Sequence, residues 1–135
     1  MAYLNWSANY SVKVKRLDED HQQLFDILNQ LHSGMKSGQG KAVLKSVLAQ
    51  LMTYTEQHFA REEALLKSRS YPGLRAHMEQ HRAFAARIKE VSEQQNAGAT
   101  GLSIEVLELL TQWLAKHIVG TDQQYSEFLN ARGVV

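Results

Sequence analysis

Titratable side chains occupy the apolar faces of helical segments, and this pattern restricts the fold more than any other feature of the sequence. In a segment from about 41 to 67, Leu51, Tyr54, His58 and Glu62 follow one another at steps of three or four residues, the spacing of one helical face. An unpaired imidazole or carboxylate in a helix-bundle core is strongly unfavourable. The inward positions therefore predict that these side chains share a common partner.

Three further segments repeat this pattern. The first begins near the capping candidates Asp18 and Asp20, the third covers about 73 to 95, and the fourth covers about 103 to 119. The histidines on their apolar faces are His21, His77, His81 and His117. Every helix thus directs at least one histidine inward.

The connections between these segments are short. Glycine, serine and the single proline concentrate at the three breaks, which are residues 37–40, 68–73 and 96–101. Short connections favour antiparallel neighbours, so we predict an all-α, up-down-up-down four-helix bundle. We expect an extended N-terminal arm over residues 1–17 and a short C-terminal helical tail from Thr121 to about Leu129. A chain of 135 residues is the size of one domain, so residues 1–135 are predicted to form a single domain.

Composition excludes several classes of site and partner. The chain has no cysteine, so a transition-metal site must be built from imidazole and carboxylate rather than thiolate. A formal net charge of +1 gives no reason to expect nucleic acid or a membrane as partner. Residues Met1 to Tyr10 lack the basic start and apolar stretch of a secretory signal, so we expect a cytoplasmic protein.

Two pairs of titratable residues have the spacing of metal ligands on a helix. His58 with Glu62, and His77 with His81, are each four residues apart, so each pair stacks on one face. Zinc alone explains the whole set poorly, because zinc normally takes about four ligands. The pattern predicts a metal site that draws on all four helices.

The last pair needs a change of direction in the chain. His117 and Asp122 are five residues apart, and an ideal α-helix would rotate them by about 140° from each other. Gly120 lies between them, and we predict that it ends the helix and turns Asp122 back toward the core. With His21, the candidate ligands then number seven.

Several motifs together resemble one known family. They run in the family's order over nearly the whole chain: Trp6 and Tyr10, Asp18-Glu19-Asp20-His21, His58 to Glu63, Tyr71-Pro72, His77 with His81, Trp113 to Ile118, and Asp122 with Tyr125. This sequence is similar to the hemerythrins, in particular the single-domain bacterial hemerythrins. It departs from their pattern at Asp20, where glutamine is common, and at Leu66, where methionine is common.

The resemblance implies a non-haem diiron centre, bridged by an oxo or hydroxo group, that binds dioxygen reversibly for transport or storage. Five histidines would be terminal ligands, and Glu62 and Asp122 would bridge the two iron ions. His77, His81 and His117 would hold one ion and His21 with His58 the other, which leaves one open position on the second. We expect an apolar wall around that position, formed by Leu24, Phe59, Trp113, Leu114 and Ile118.

Other functions stay open at this point. The chain could be an oxygen or redox sensor or a delivery module with an unidentified protein partner that receives the oxygen. It could also be a diiron enzyme that handles peroxide or nitric oxide. We favour a binding protein over an enzyme because no acid or base group is obviously aimed at the open position. His32 is about 16 Å along the helix axis from His21, too far for the same site, and we expect it to make a core or boundary hydrogen bond.

Overall fold

The computed structural model of the chain describes residues 3–135, so the first two residues of the predicted arm lie outside it. Four long helices form between the predicted breaks: α1 (Lys15–Lys36), α2 (Gly40–Ser68), α3 (Leu74–Asn96) and α4 (Leu102–Gln112). The all-α prediction is confirmed, since no strand occurs in this part of the chain. None of these helices combines the length and the apolar character needed to cross a membrane.

Contacts between successive helices show that neighbouring helices run in opposite directions. Between α1 and α2, Gln30 hydrogen-bonds Gln50 and Asp20 contacts Arg61, so a higher number on one helix meets a lower number on the other. Between α2 and α3, Gln95 contacts Lys41 and His81 contacts Glu63. Between α3 and the fourth helix, Arg87 pairs with Glu105 and Gln80 contacts His117. The bundle is therefore antiparallel, as the short connections predict.

The fourth helix does not end at Gly120. After α4 the chain continues as a π-helix (Trp113–Thr121), a 3-10 turn (Asp122–Tyr125) and α5 (Ser126–Asn130). The expectation that Gly120 breaks the helix is wrong, because the helix widens instead of stopping. The predicted tail is helical, but it continues this helix rather than starting after a turn.

The N-terminal arm packs along the bundle. Its described residues include a 3-10 turn at Ala8–Tyr10 and a left-handed backbone at Lys13, and α1 begins at Lys15, earlier than predicted. Asp18 lies in the first turn of α1, where it accepts hydrogen bonds from the Val12 amide at 2.8 Å and from the Ser11 hydroxyl at 2.6 Å. This carboxylate therefore holds the arm in place rather than capping the helix.

The buried interior contains two apolar clusters. The larger one includes Leu24, Phe59, Phe84 and Ile118. The smaller one, at the end covered by the arm, consists of Val12, Val14, Leu17, Leu66, Tyr125 and Leu129. On α1 and α2 the candidate ligands lie between residues of the two clusters, so a layer of polar side chains separates the clusters.

Candidate metal centre

All seven predicted ligands meet in this polar layer. None of them is more than 3% exposed. They are His21 on α1, His58 and Glu62 on α2, His77 and His81 on α3, His117 in the π-helix and Asp122 at its end. Buried groups of this kind almost always have a charged or hydrogen-bonding partner.

The seven side chains form two overlapping groups. One consists of Glu62, His77, His81, His117 and Asp122, and the other of His21, His58 and Glu62; within each, the ligand atoms lie within 4.8 Å of one another. Glu62 belongs to both groups. This arrangement provides two neighbouring positions for a cation with one shared carboxylate.

The Asp122 carboxylate also reaches both groups. Its Oδ1 lies 2.9 Å from the Nε2 atoms of His77 and His117, and its Oδ2 lies 3.2 Å from Nε2 of His21. Glu62 is placed in the same way, with Oε1 3.1 Å from Nε2 of His81 and Oε2 3.2 Å from Nε2 of His58. Each carboxylate therefore spans the space between the three-histidine group and the two-histidine group.

Several of these atoms have no hydrogen-bond partner among residues 3–135, although they lie close together. They are both ring nitrogens of His21, Nε2 of His81, Nε2 of His117 and both carboxylate oxygens of Asp122. Burying so many lone pairs without partners would be very unfavourable in a protein core. Cations between the two groups would satisfy them, so the residues fit a metal centre of imidazole and carboxylate ligands.

The π-helix explains how Asp122 enters the cluster. The Asp122 amide donates to the carbonyl oxygen of His117, five residues earlier, which is the hydrogen bond that defines a π-helix. The wider turn brings residues five apart onto one face. Gly120 takes no part in this, since its φ is not in the left-handed region.

Outer hydrogen bonds orient three of the histidines. Nδ1 of His58 lies 2.8 Å from Asp20, and Arg61 donates to that same oxygen. Nδ1 of His81 lies 2.7 Å from Glu63.

His117 follows the same arrangement, with its Nδ1 2.7 Å from Oε1 of Gln80. When each Nδ1–H donates outward, each Nε2 keeps a lone pair that points into the cluster. Such partners also raise the basicity of metal-binding imidazoles.

The sequence allows Glu63 either solvent or a contact behind the ligands, but it does not pair Asp20, Glu63 or Gln80 with these histidines. The available signal was adjacency, because Asp20 precedes His21, Gln80 precedes His81 and Glu63 follows Glu62. In each case the partner serves a histidine on another helix, which the sequence does not indicate. A further contact of this kind is the Tyr125 hydroxyl, which donates to Oε2 of Glu62 at 3.0 Å.

The charges in the cluster shift its pKa values strongly. Burial acts to lower the pKa of His21, but the carboxylates of Asp122 and Glu62 outweigh it and raise the pKa to about 10. The same balance raises the pKa of His77 to about 9. Burial acts to raise the pKa values of Glu62 and Asp122, yet the surrounding imidazoles bring both below their ordinary range. Without a metal ion, protons on the imidazoles balance the carboxylates.

Two of the five predicted wall residues lie against the three-histidine group. Leu24, Leu114 and Ile118 are fully buried in the larger apolar cluster. Phe59 stacks on His81 with ring centroids 3.8 Å apart, and Trp113 stacks on His117 at the same distance. These two aromatic rings therefore cover the three-histidine group, and Trp113 is half-buried at the surface.

His32 lies away from the cluster, as predicted. It is half-buried, and its ring stacks on Tyr3 with centroids 4.3 Å apart. This aromatic contact takes the place of the hydrogen bond expected from the sequence.

An antiparallel four-helix bundle with a buried cluster of five histidines and two carboxylates defines a class of helical metal-binding proteins. Comparison with known proteins identifies the family within this class. Residues 12–129 match the family model described as the Hemerythrin HHE cation binding domain. The chain belongs to the hemerythrin family.

Individual relatives support the same assignment. The chain is 34% identical over 131 residues to the bacteriohemerythrin of Stenotrophomonas maltophilia, covering 97% of this chain and 84% of that protein. It is 31% identical over 120 residues to the myohemerythrin of Theromyzon tessulatum, covering 89% and 88% of the two chains. A crystal structure of wild-type hemerythrin superposes with a TM-score of 0.84 at 24% identity, over 93% of this chain and 97% of that one. This last likeness concerns the fold.

Proposed function

We propose that this protein holds two iron ions at the seven-residue cluster and binds dioxygen there reversibly. The observation that carries the proposal is the set of buried imidazole nitrogens and carboxylate oxygens that face one another without hydrogen-bond partners. Membership of the hemerythrin family supports iron as the metal. Cysteine-free imidazole and carboxylate sites also suit iron chemically.

The unequal groups support an unequal pair of ions. His77, His81 and His117 would hold one ion, His21 and His58 the other, and Glu62 and Asp122 would bridge them with an oxo or hydroxo group. The second ion would have one protein ligand fewer. An external ligand would bind at the position left open on that ion. When bound, the reduced iron pair would supply the two electrons that reversible dioxygen binding requires.

The protein's own residues would orient this centre and protect it. Asp20, Glu63 and Gln80 fix the rings of three histidines through their outer nitrogens. Leu24, Leu114 and Ile118 are fully buried in the larger apolar cluster and would help to keep water away from the centre. Exclusion of water and proton donors favours release of dioxygen over irreversible oxidation.

Anaerobic reduction followed by exposure to air tests this function. We expect close to two irons per chain and an absorption spectrum that changes on oxygenation and returns under vacuum. Zinc, or a single iron at full occupancy, would contradict the proposed centre. A spectrum that air changes irreversibly would contradict reversible binding.

We also propose that the protein is not an enzyme, and that a sensing or delivery role is the nearest alternative. Rapid turnover of peroxide or nitric oxide in the presence of a reductant would contradict this.

The cytoplasmic location and a protein partner that receives dioxygen stay predictions from the sequence. Cell fractionation with detection of the native chain tests the location.

A further inference from the structure

Tyr54 lies against the two-histidine side of the metal centre. It is on α2, one helical turn before His58, and only 5% of it is exposed. Its ring is nearly parallel to the His58 imidazole, with an interplanar angle of 20° and ring centroids 5.1 Å apart. The side chain is thus part of the immediate surroundings of the proposed second ion.

The Tyr54 hydroxyl is buried and has no hydrogen-bond partner in the described chain. The other tyrosine at the centre, Tyr125, differs, because its hydroxyl donates to Glu62. A buried hydroxyl without a partner is unfavourable and calls for an explanation. A ligand that binds in the adjoining space would supply the missing acceptor.

The hydroxyl is suited to donate. A tyrosine hydroxyl carries its proton at neutral pH and can donate it in a hydrogen bond. Tyr54 belongs to the larger apolar cluster, whose other buried members have no side-chain acceptor.

We propose that the Tyr54 hydroxyl positions small anionic ligands on the His21–His58 side of the centre by donating a hydrogen bond to them. This inference rests on the proposed function. The ligand class is a small anion with a free nitrogen or oxygen lone pair, for which azide is a suitable probe. Tyr54 would be a positioning residue that favours ligands bearing negative charge over neutral ones.

Substitution of Tyr54 by phenylalanine removes the donor and keeps the ring. Tyr10→Phe is the matched control, since Tyr10 packs edge-on against Phe25 with ring centroids 4.6 Å apart and lies in the arm. In the oxidised, iron-loaded protein we expect Tyr54→Phe to retain its iron and bind azide roughly 10-fold or more weakly, as for loss of a hydrogen bond to a charged acceptor. The azide stretching band of the parent should shift between H₂O and D₂O, and the shift should be absent in Tyr54→Phe.

Stability of the iron-free protein gives a readout that does not depend on the metal. Because the hydroxyl makes no hydrogen bond, Tyr54→Phe should melt at the parent temperature or above it. A clear loss of stability would mean that the hydroxyl already has a partner, such as water in the cleft lined by Gln23, Gln57 and Arg61, and would overturn the inference.

The other possible results separate failure of the role of Tyr54 from failure of the proposed function. Equal azide affinity in the parent and Tyr54→Phe, or an equal loss in Tyr10→Phe, overturns the role of Tyr54 and leaves the proposed function standing. Failure of Tyr54→Phe to fold would be the extreme case of that loss of stability and would also overturn the inference, as would an azide band of the parent that is insensitive to D₂O. A parent protein that carries no iron pair contradicts the proposed function, and this inference with it.

Discussion

At the scale of single residues, the outer hydrogen bonds of the histidines determine how well each ligand is oriented. Asp20 contacts Nδ1 of His58 and is itself held by Arg61. Asp20 thus places a carboxylate beside the imidazole. A carboxylate fixes the proton on Nδ1 and strengthens Nε2 as a ligand.

Replacing Asp20 with asparagine removes the negative charge beside His58 and should weaken iron binding by roughly 10-fold to 100-fold, the usual effect of mutating such a partner. The measurement is iron affinity by competition with a chelator. Asp26→Asn is the control, because Asp26 lies on the same helix and is exposed. Equal affinities of the two variants would contradict the orienting role of Asp20.

Glu62 is the residue on which both halves of the centre depend, since it belongs to both ligand groups. Glu62→Ala should lose both irons or leave one loosely held, because a bond to each ion and a compensating charge are removed together. Iron content after gel filtration measures this. His32→Gln is the control and should retain both irons, and loss of iron in that variant would show that the helical register is misassigned.

At the scale of helices, the π-helix from Trp113 to Thr121 has the largest consequence for the site. An α-helix would direct His117 and Asp122 to different faces, whereas the π hydrogen bond between them aligns the two side chains. The π-helical hydrogen bond thus brings Asp122 to the cluster, which the sequence analysis expected of a turn at Gly120. π-Helical turns are frequent at functional sites for this reason.

Gly120→Ala separates these two explanations. A Cβ at Gly120 would meet no atom within 4 Å, and the position needs no left-handed backbone. We therefore expect retention of both irons and a gain of about 0.5–1 kcal/mol in the free energy of unfolding, as for alanine over glycine within a helix. Chemical denaturation and iron analysis test this. Loss of iron on this substitution would favour a turn at Gly120 instead.

At the scale of the whole molecule, the polar layer links all four helices and separates the two apolar clusters. In the iron-free protein, this layer holds protonated His21 and His77, whose pKa values are raised from 6.5 to about 10 and about 9. Such groups stabilise the fold fully below pH 6.5, and their contribution is lost as the pH rises through their folded pKa values. The depressed pKa values of Glu62 and Asp122 act in the opposite sense and stabilise the fold above their ordinary values.

The iron-free protein should therefore lose stability between about pH 6.5 and pH 10, since raised histidine pKa values make that contribution decline there. Bound iron replaces those protons, so the loaded protein should show a much smaller loss over the same range. Denaturant unfolding of both forms at pH 6, 8 and 10 measures the difference. Parallel declines in the two forms would show that the histidines are not the cause.

The sequence by itself determined the helices, their antiparallel order and the inward direction of the five histidines and Glu62. These follow from local periodicity, because a residue such as His58 or Glu62 faces the core whenever its helix presents its apolar face. Motif order added the family, which the comparisons confirm.

Only the tertiary structure decided the π-helical route to Asp122, the outer partners Glu63 and Gln80, the stacking of Phe59 and Trp113 on the three-histidine group, and the isolated hydroxyl of Tyr54. Each of these depends on which atoms of different helices meet and at what distance. Periodicity within one helix carries no such information, since it fixes the direction of a side chain but not what lies opposite.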